Sequence, residues 1–313
     1  LTKMLVLRGI VEAPRIDRTR SCARTRASWR AEQPAQEELG RSSQGQWQLV
    51  EYGQGERGLS SGPAQEVVDE IIAAGGEAIA NNADVADWNQ AEAMIQQAIE
   101  TWGVLDGLIC NAGFLRDRML ASMSEEEWDT VVRVHLKGHF APARHAITHW
   151  RERAKQGEDV QARIVNTSSG AGLMGSIGQG NYAAAKAAIA QLTIQQASEW
   201  GRYGVLVNAI APDARTRMTE GIFYSSDDVQ EGAFDEKAPE NVSPLVVWLA
   251  SPECDITGRT FEATGGQLNV CDGWQHGPVQ SVGDRQITVE EISDLVHASI
   301  ESAPPPENVY GAQ

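Results

Sequence analysis

From about residue 60 onward, the apolar positions switch between two periods. Residues 64–74 read AQEVVDEIIAA, which places Val67, Val68, Ile71 and Ile72 on one helical stripe that Gly75 and Gly76 can end. Residues 87–102 repeat the helical pattern and close at Gly103. Ser124 and Glu127 make a capping box that opens a long helix, residues 182–200 read as another, and residues 242–250 as a short one. Between these lie apolar runs of strand length at 77–85, 105–110, 162–167, 204–211 and 260–264. Most of them lack polar alternation, which predicts a parallel sheet covered on both faces, an α/β fold of the doubly wound kind. Ligands of such sheets bind beyond the carboxyl ends of the strands.

The pattern divides the chain into three. Residues 1–59 form an atypical N-terminal segment, with 12–48 rich in Arg, Gln, Ser and Trp and free of apolar period, so it is read as disordered. Residues 60–282 carry the α/β pattern. Residues 283–313 carry a helix, with Thr288 through Glu291 at its start, and then an extended tail from Pro304. Charge divides the chain in the same place. Residues 1–60 hold 10 basic and 7 acidic residues, a balance of +3, while the remainder stands at −20 within a net −17. An acidic surface of that size excludes general nucleic-acid binding. No run nears the roughly 18 apolar residues of a membrane span. The 4 cysteines form no C-x-x-C pair in this 313-residue chain, which points to a reducing, cytoplasmic compartment. The chain opens on Leu1 rather than Met, as a fragment or a start-codon artefact would.

The chemistry is concentrated in residues 166–186, NTSSGAGLMGSIGQGNYAAAK. A strand ends in hydroxyl residues, a Gly-rich loop follows, and Tyr182 and Lys186 then sit four apart on one helix face. A phenol near pKa 10 is a poor acid–base at neutral pH. An ammonium about 4 Å away, at an effective dielectric near 20, favours the phenolate by roughly 4 kcal/mol, enough to bring it toward 7. Such a Tyr can exchange a proton with a substrate oxygen that Ser169 holds. An isolated Tyr-x-x-x-Lys is far more often a plain surface pair; the Ser-Ser-Gly strand end thirteen residues upstream changes that weighting.

With these residues in view, the sequence resembles the short-chain dehydrogenase/reductase family over about residues 60–275. Ser169, Tyr182 and Lys186 match the family's active-site motif, and Asn111-Ala112-Gly113 resembles its NAG motif. Asp84-Val85 is similar to the pair that touches the cofactor adenine, and Pro212 with Thr216 to the segment along the nicotinamide. Residues 134–140, 178–186, 211–219 and 243–253 resemble the subgroup containing the 3-hydroxyacyl-CoA dehydrogenase domain of peroxisomal multifunctional enzymes and its bacterial single-domain relatives. The resemblance implies a Rossmann-like fold and an oxidoreductase that interconverts a secondary alcohol and ketone, with a 3-hydroxyacyl thioester or steroid-like substrate. It implies Tyr182 as acid–base, Lys186 on the nicotinamide ribose, Ser169 on the substrate oxygen, and NAD as cofactor, with NADP left open. It also implies a homodimer or homotetramer through helices near 124–150 and 182–200.

Three departures stand out. The family's opening strand, glycine loop and helix are missing or replaced: Gly53, Gly55 and Gly58 make a formal G-x-G-x-x-G, but Leu59-Ser-Ser-Gly62-Pro63 follows instead of a helix. Residues up to about 58 are therefore read as translated in a shifted frame or replaced. His135 stands where the family has an Asn of the proton relay, a role a His can fill by donating and accepting. Asp213 replaces a Gly beside the nicotinamide, where its charge would oppose binding. The first departure keeps a second reading open, a catalytically impaired homologue or non-catalytic partner subunit. The pairs His135/His139 and His145/His149 have metal-compatible spacing but no third ligand, so no metal is expected.

Overall fold

The computed structural model describes residues 2–7, 47–52, 62–215, 233–271, 273–305 and 307–310. Gly53, Gly55, Gly58 and Thr216 lie outside them. Among the described residues, seven strands form one sheet in the order β2-β1-β3-β4-β5-β6-β7. They are β1 (Thr2–Leu7), β2 (Trp47–Tyr52), β3 (Gly107–Asn111), β4 (Ala162–Thr167), β5 (Val205–Pro212), β6 (Thr260–Thr264) and β7 (Gln267–Cys271). The helices are α1 (Gly62–Ala73), α2 (Trp88–Trp102), α3 (Glu125–Val132), α4 (Gly138–Lys155), α5 (Gly170–Met174), α6 (Gly180–Trp200), α7 (Ser243–Ala250) and α8 (Ile292–Ser302). None of the described helices is long and apolar enough to cross a membrane.

The central strands β3, β4, β5 and β6 are parallel, as their unbroken apolar runs predict. Successive residues bury on opposite faces. Leu108, Cys110, Ile164 and Val207 join Met94, Ile95 and Trp150 on one side; Ile109, Val165 and Ile210 join Leu249 and Phe261 on the other. Covering both faces puts the backbone ends of these strands at one rim, where loops are free to carry chemistry. The edges are antiparallel: β7 pairs with β6, and β1 runs between β2 and β3 against both.

One expectation needs correction. Residues 77–85 form no strand, because β1 occupies the free edge of β3; the segment instead packs Ile79, Ala83 and Val85 into the main core. The long helix opened by Ser124 is present with its capping box, and a π-turn at Arg133–Lys137 joins α3 to α4 within it. π-Turns insert one residue into the helical ladder and often mark functional positions.

Candidate active site

The end of β4 and the start of α6 are tied together before any functional side chain is placed. Asn166 Nδ2 donates to Thr193 Oγ1 (3.0 Å) and Gln196 Oε1 (2.9 Å), both buried on α6. Asn181 Nδ2 donates to the carbonyls of Arg116 (3.1 Å) and Glu127 (2.9 Å), which holds the first turn of α6 against the loop after β3. At Gly172 a Cβ would lie 2.6 Å from the Lys186 backbone, so only glycine lets α5 approach α6 this closely.

On this frame, Ser169 caps α5 by accepting from the Ala171 amide at 3.2 Å, and its hydroxyl is near enough to Tyr182 to act on the phenol. Ser168 Oγ donates to the Lys186 carbonyl at 2.9 Å. Lys186 is 3% exposed, and its Nζ donates to Thr167 O at 2.7 Å while lying 5.5 Å from the Tyr182 ring centroid. The expected ammonium-to-phenol attraction is therefore not what governs this structure. Burial pushes the Lys186 amine down to about 7 and pushes the Tyr182 phenol up, the latter opposed by the Ser169 hydroxyl.

The π-turn carries His135 to the same point. Its ring meets Tyr182 edge-on, with centroids 5.1 Å apart at 85°. Its Nε2 lies 2.8 Å from Phe114 O and 3.1 Å from Phe114 N, and its buried Nδ1 has no protein partner. Burial, then the nearby Lys186, lower His135 to about 3, so the ring is neutral at working pH. His139, one turn on, donates from Nδ1 to His135 O (2.6 Å) and accepts at Nε2 from the Thr167 amide (3.4 Å). Burial likewise holds it well below the usual imidazole range.

The remaining sequence-predicted residues surround this cluster. Asn111 is exposed at the carboxyl end of β3, followed by buried Ala112 and Gly113. A Cβ at Gly113 would sit 1.9 Å from His135 Cε1, so this glycine makes room for the imidazole. Pro212 ends β5, and the Ser168 amide donates to Ile210 O at 2.7 Å, which joins that end to the serine loop. Asp84 accepts from the Ala86 amide at 2.9 Å and pairs with Arg133 of the π-turn. Val85 is fully buried, packed beneath Gly138. Asp213 is paired: Lys237 Nζ lies 2.6 Å from its Oδ2 and donates to Thr264 Oγ1 at 3.0 Å, which offsets the charge expected to oppose a nicotinamide. Lys237 takes part here without a motif to mark it; only the placement of the strands reveals it.

A nicotinamide–ribose fits the residues present. The buried Lys186 amine, three-donor when charged, has one protein acceptor in Thr167 O, and Thr167 Oγ1 is itself buried without a partner. A ribose diol supplies what both groups lack.

A family model described as short chain dehydrogenase matches residues 57–225. A hydroxyacyl-CoA dehydrogenase of Mycobacterium tuberculosis is 46% identical over 214 residues, covering 66% of this chain and 67% of its own. Peroxisomal multifunctional enzyme type 2 of Mus musculus is 36% identical over 239 residues, 76% of this chain but 30% of that protein, so the chain spans under a third of that relative. The crystal structure of a short chain dehydrogenase from Mycobacterium avium superposes with a TM-score of 0.72 at 58% identity, covering 79% of this chain and 82% of that one. The chain is an oxidoreductase belonging to the short-chain dehydrogenase family.

Proposed function

We propose that the enzyme interconverts a secondary alcohol and a ketone by hydride transfer, acting on a 3-hydroxyacyl thioester or steroid-like alcohol. The observation that carries this is the Ser169–Tyr182 hydroxyl pair with the Lys186 amine buried beneath it. One relative is a hydroxyacyl-CoA dehydrogenase, which favours the thioester class. A bound nicotinamide dinucleotide, NAD in our reading, supplies the hydride acceptor or donor. Asn111, Ala112, Gly113 and Pro212 line the rim that would hold it, with Lys186 on the ribose; Asp84, with buried Val85 behind it, would meet the adenine, and Thr216, assigned to the nicotinamide by its motif, lies outside the described residues.

The chain's own groups handle the proton. In ketone reduction, Tyr182 donates its phenolic proton to the carbonyl oxygen while Ser169 holds that oxygen in place. In alcohol oxidation the same phenol must first lose its proton. His135, neutral and with Nδ1 open, is the relay position beside Tyr182. Residues 60–282 are the catalytic unit in this reading. The apolar groove of Val132, Leu136, Phe140 and Leu192, about 310 Å³, suits pairing of copies through α3, α4 and α6. Free Cys110 and Cys254, both buried, suit a reducing cytoplasmic setting.

One observation favours a second reading, an impaired homologue. β1 runs antiparallel to β3, which puts Lys3 rather than a strand's carboxyl end beside Asn111. A phosphate-binding turn after a parallel first strand then has no place at that rim. The experiment is a nicotinamide absorbance assay with 3-hydroxyacyl-CoA and cofactor. Turnover lost by at least about a hundredfold in Tyr182→Phe, with cofactor binding retained, supports the enzyme. Absence of turnover and of cofactor binding in the wild type supports the impaired reading.

A further inference from the structure

The loop that follows Ser169 is flanked by two other pieces of chain. Gln179 is bridged to Arg118, whose amide donates to Gly178 O at 2.7 Å. Ser176 is bridged to Tyr310 of the C-terminal tail: the Ile177 amide donates to Tyr310 O (3.0 Å) and the Tyr310 amide to Gly175 O (3.2 Å). The tail thus adds a third, short extended segment to the mouth above Ser169 and Tyr182.

The Tyr310 side chain reaches further in. A Cβ on Gly170, the neighbour of Ser169, would lie 2.8 Å from Tyr310 Oη and 2.9 Å from its Cε2. The phenol donates to Glu262 Oε1 at 3.4 Å, and Glu262 is registered against Ala211 just before Pro212. Tyr310 therefore spans from the serine loop to β6 across the end of β5. The mouth is also unusually apolar for exposed surface: Met119 is 59% exposed, Leu120 65%, Ile177 50% and Tyr310 itself 48%. Large apolar side chains gathered at the mouth of a polar catalytic cluster suit an apolar portion of a substrate.

We propose that Tyr310 is a specificity-determining residue, one rigid wall of the substrate cleft that limits the bulk of the group carried beside the reacting carbon. This rests on the alcohol–ketone reading of Ser169 and Tyr182. An aromatic ring is a stiff wall, and opening space in a pocket shifts discrimination between small and bulky substrates by about tenfold or more.

The test compares a four-carbon 3-hydroxyacyl-CoA with one bearing a ring in its acyl chain, in wild type, Tyr310→Ala and Tyr310→Phe. Tyr310→Ala is expected to raise kcat/KM for the ring-bearing thioester relative to the small one by about tenfold, and Tyr310→Phe to keep the wild-type ratio. An Ala variant that stays active with its ratio within about twofold of wild type overturns the assignment. Hydrogen exchange supplies a reading that needs no turnover: in a chain ending at Asn308 the Ile177 amide should exchange at least about tenfold faster. Unchanged exchange shows that the tail holds nothing there and also overturns the assignment. Wild type inactive on both thioesters overturns the alcohol–ketone reading instead, and the role of Tyr310 falls with it.

Discussion

Lys186 directs its ammonium at the carbonyl of Thr167, 2.7 Å away, rather than at the phenol of Tyr182. In this arrangement, burial dominates both groups in opposite directions, lowering the amine to about 7 and raising the phenol.

That arrangement has a pH signature. Reduction needs the protonated phenol and oxidation the phenolate. With Tyr182 held above the ordinary phenol range, kcat/KM for oxidation should climb through the alkaline range, while reduction stays level near neutrality and falls only at high pH. Initial rates in both directions across pH check this. An oxidation profile that is flat from neutral pH upward would show that bound cofactor already lowers the phenol.

Stability should follow Lys186 as well. Its amine is lowered from 10.5 to about 7 in the fold, so the unfolded chain binds more protons between those values. Stability then rises with pH across that window and is lowest below it. Lys186→Met should remove this slope and raise Tm by a few degrees at pH 6 while abolishing turnover. Thermal scans of both proteins at pH 6 and pH 9 measure it; parallel Tm-versus-pH curves would sink the claim.

Gly113 and His135 should behave as one unit. Gly113→Ala drives a methyl into the imidazole, since a Cβ there is 1.9 Å from Cε1. The expected cost is about 1–3 kcal/mol. In a His135→Asn background the shorter side chain should relieve most of it, so the double mutant is more stable than the sum of the single changes implies. Denaturant unfolding of the four proteins gives the coupling. Strict additivity would mean that the two residues do not share this space.

Lys237 should matter through Asp213. Lys237→Met takes away the cation 2.6 Å from the Asp213 carboxylate at the end of β5. Cofactor Kd should rise about three- to tenfold, as expected for a partly exposed pair, and Asp213→Gly in the same protein should restore it. Titration of the single and double variants decides the point, with an unchanged Kd in Lys237→Met counting against it.

Much of the fold was legible because burial on both faces leaves an unmistakable apolar run. The strand expected at 162–167 is β4 to the residue, and 260–264 is β6. The capping box at Ser124 was readable for the same kind of local reason. What escaped depends on neighbours. Residues 77–85 have strand composition yet find no free edge, and β7 pairs with β6 although most of its residues are exposed. The π-turn around His135 leaves no mark in apolar period. At the candidate site, Lys186 lies 5.5 Å from the Tyr182 ring and Ser169 acts on the phenol, a grouping that type and spacing anticipate. The direction in which Lys186 points could not be read from an i,i+4 spacing, because Thr167 O competes for it. Nor could the pairing of Asp213 with Lys237, 24 residues apart in sequence.

The most direct test is a calorimetric titration of the wild-type enzyme with NAD and NADH, repeated on Lys186→Met. Micromolar binding of at least one form is expected in the wild type, and its loss in the variant. No heat of binding at millimolar cofactor, in a protein that is folded by circular dichroism, would contradict it.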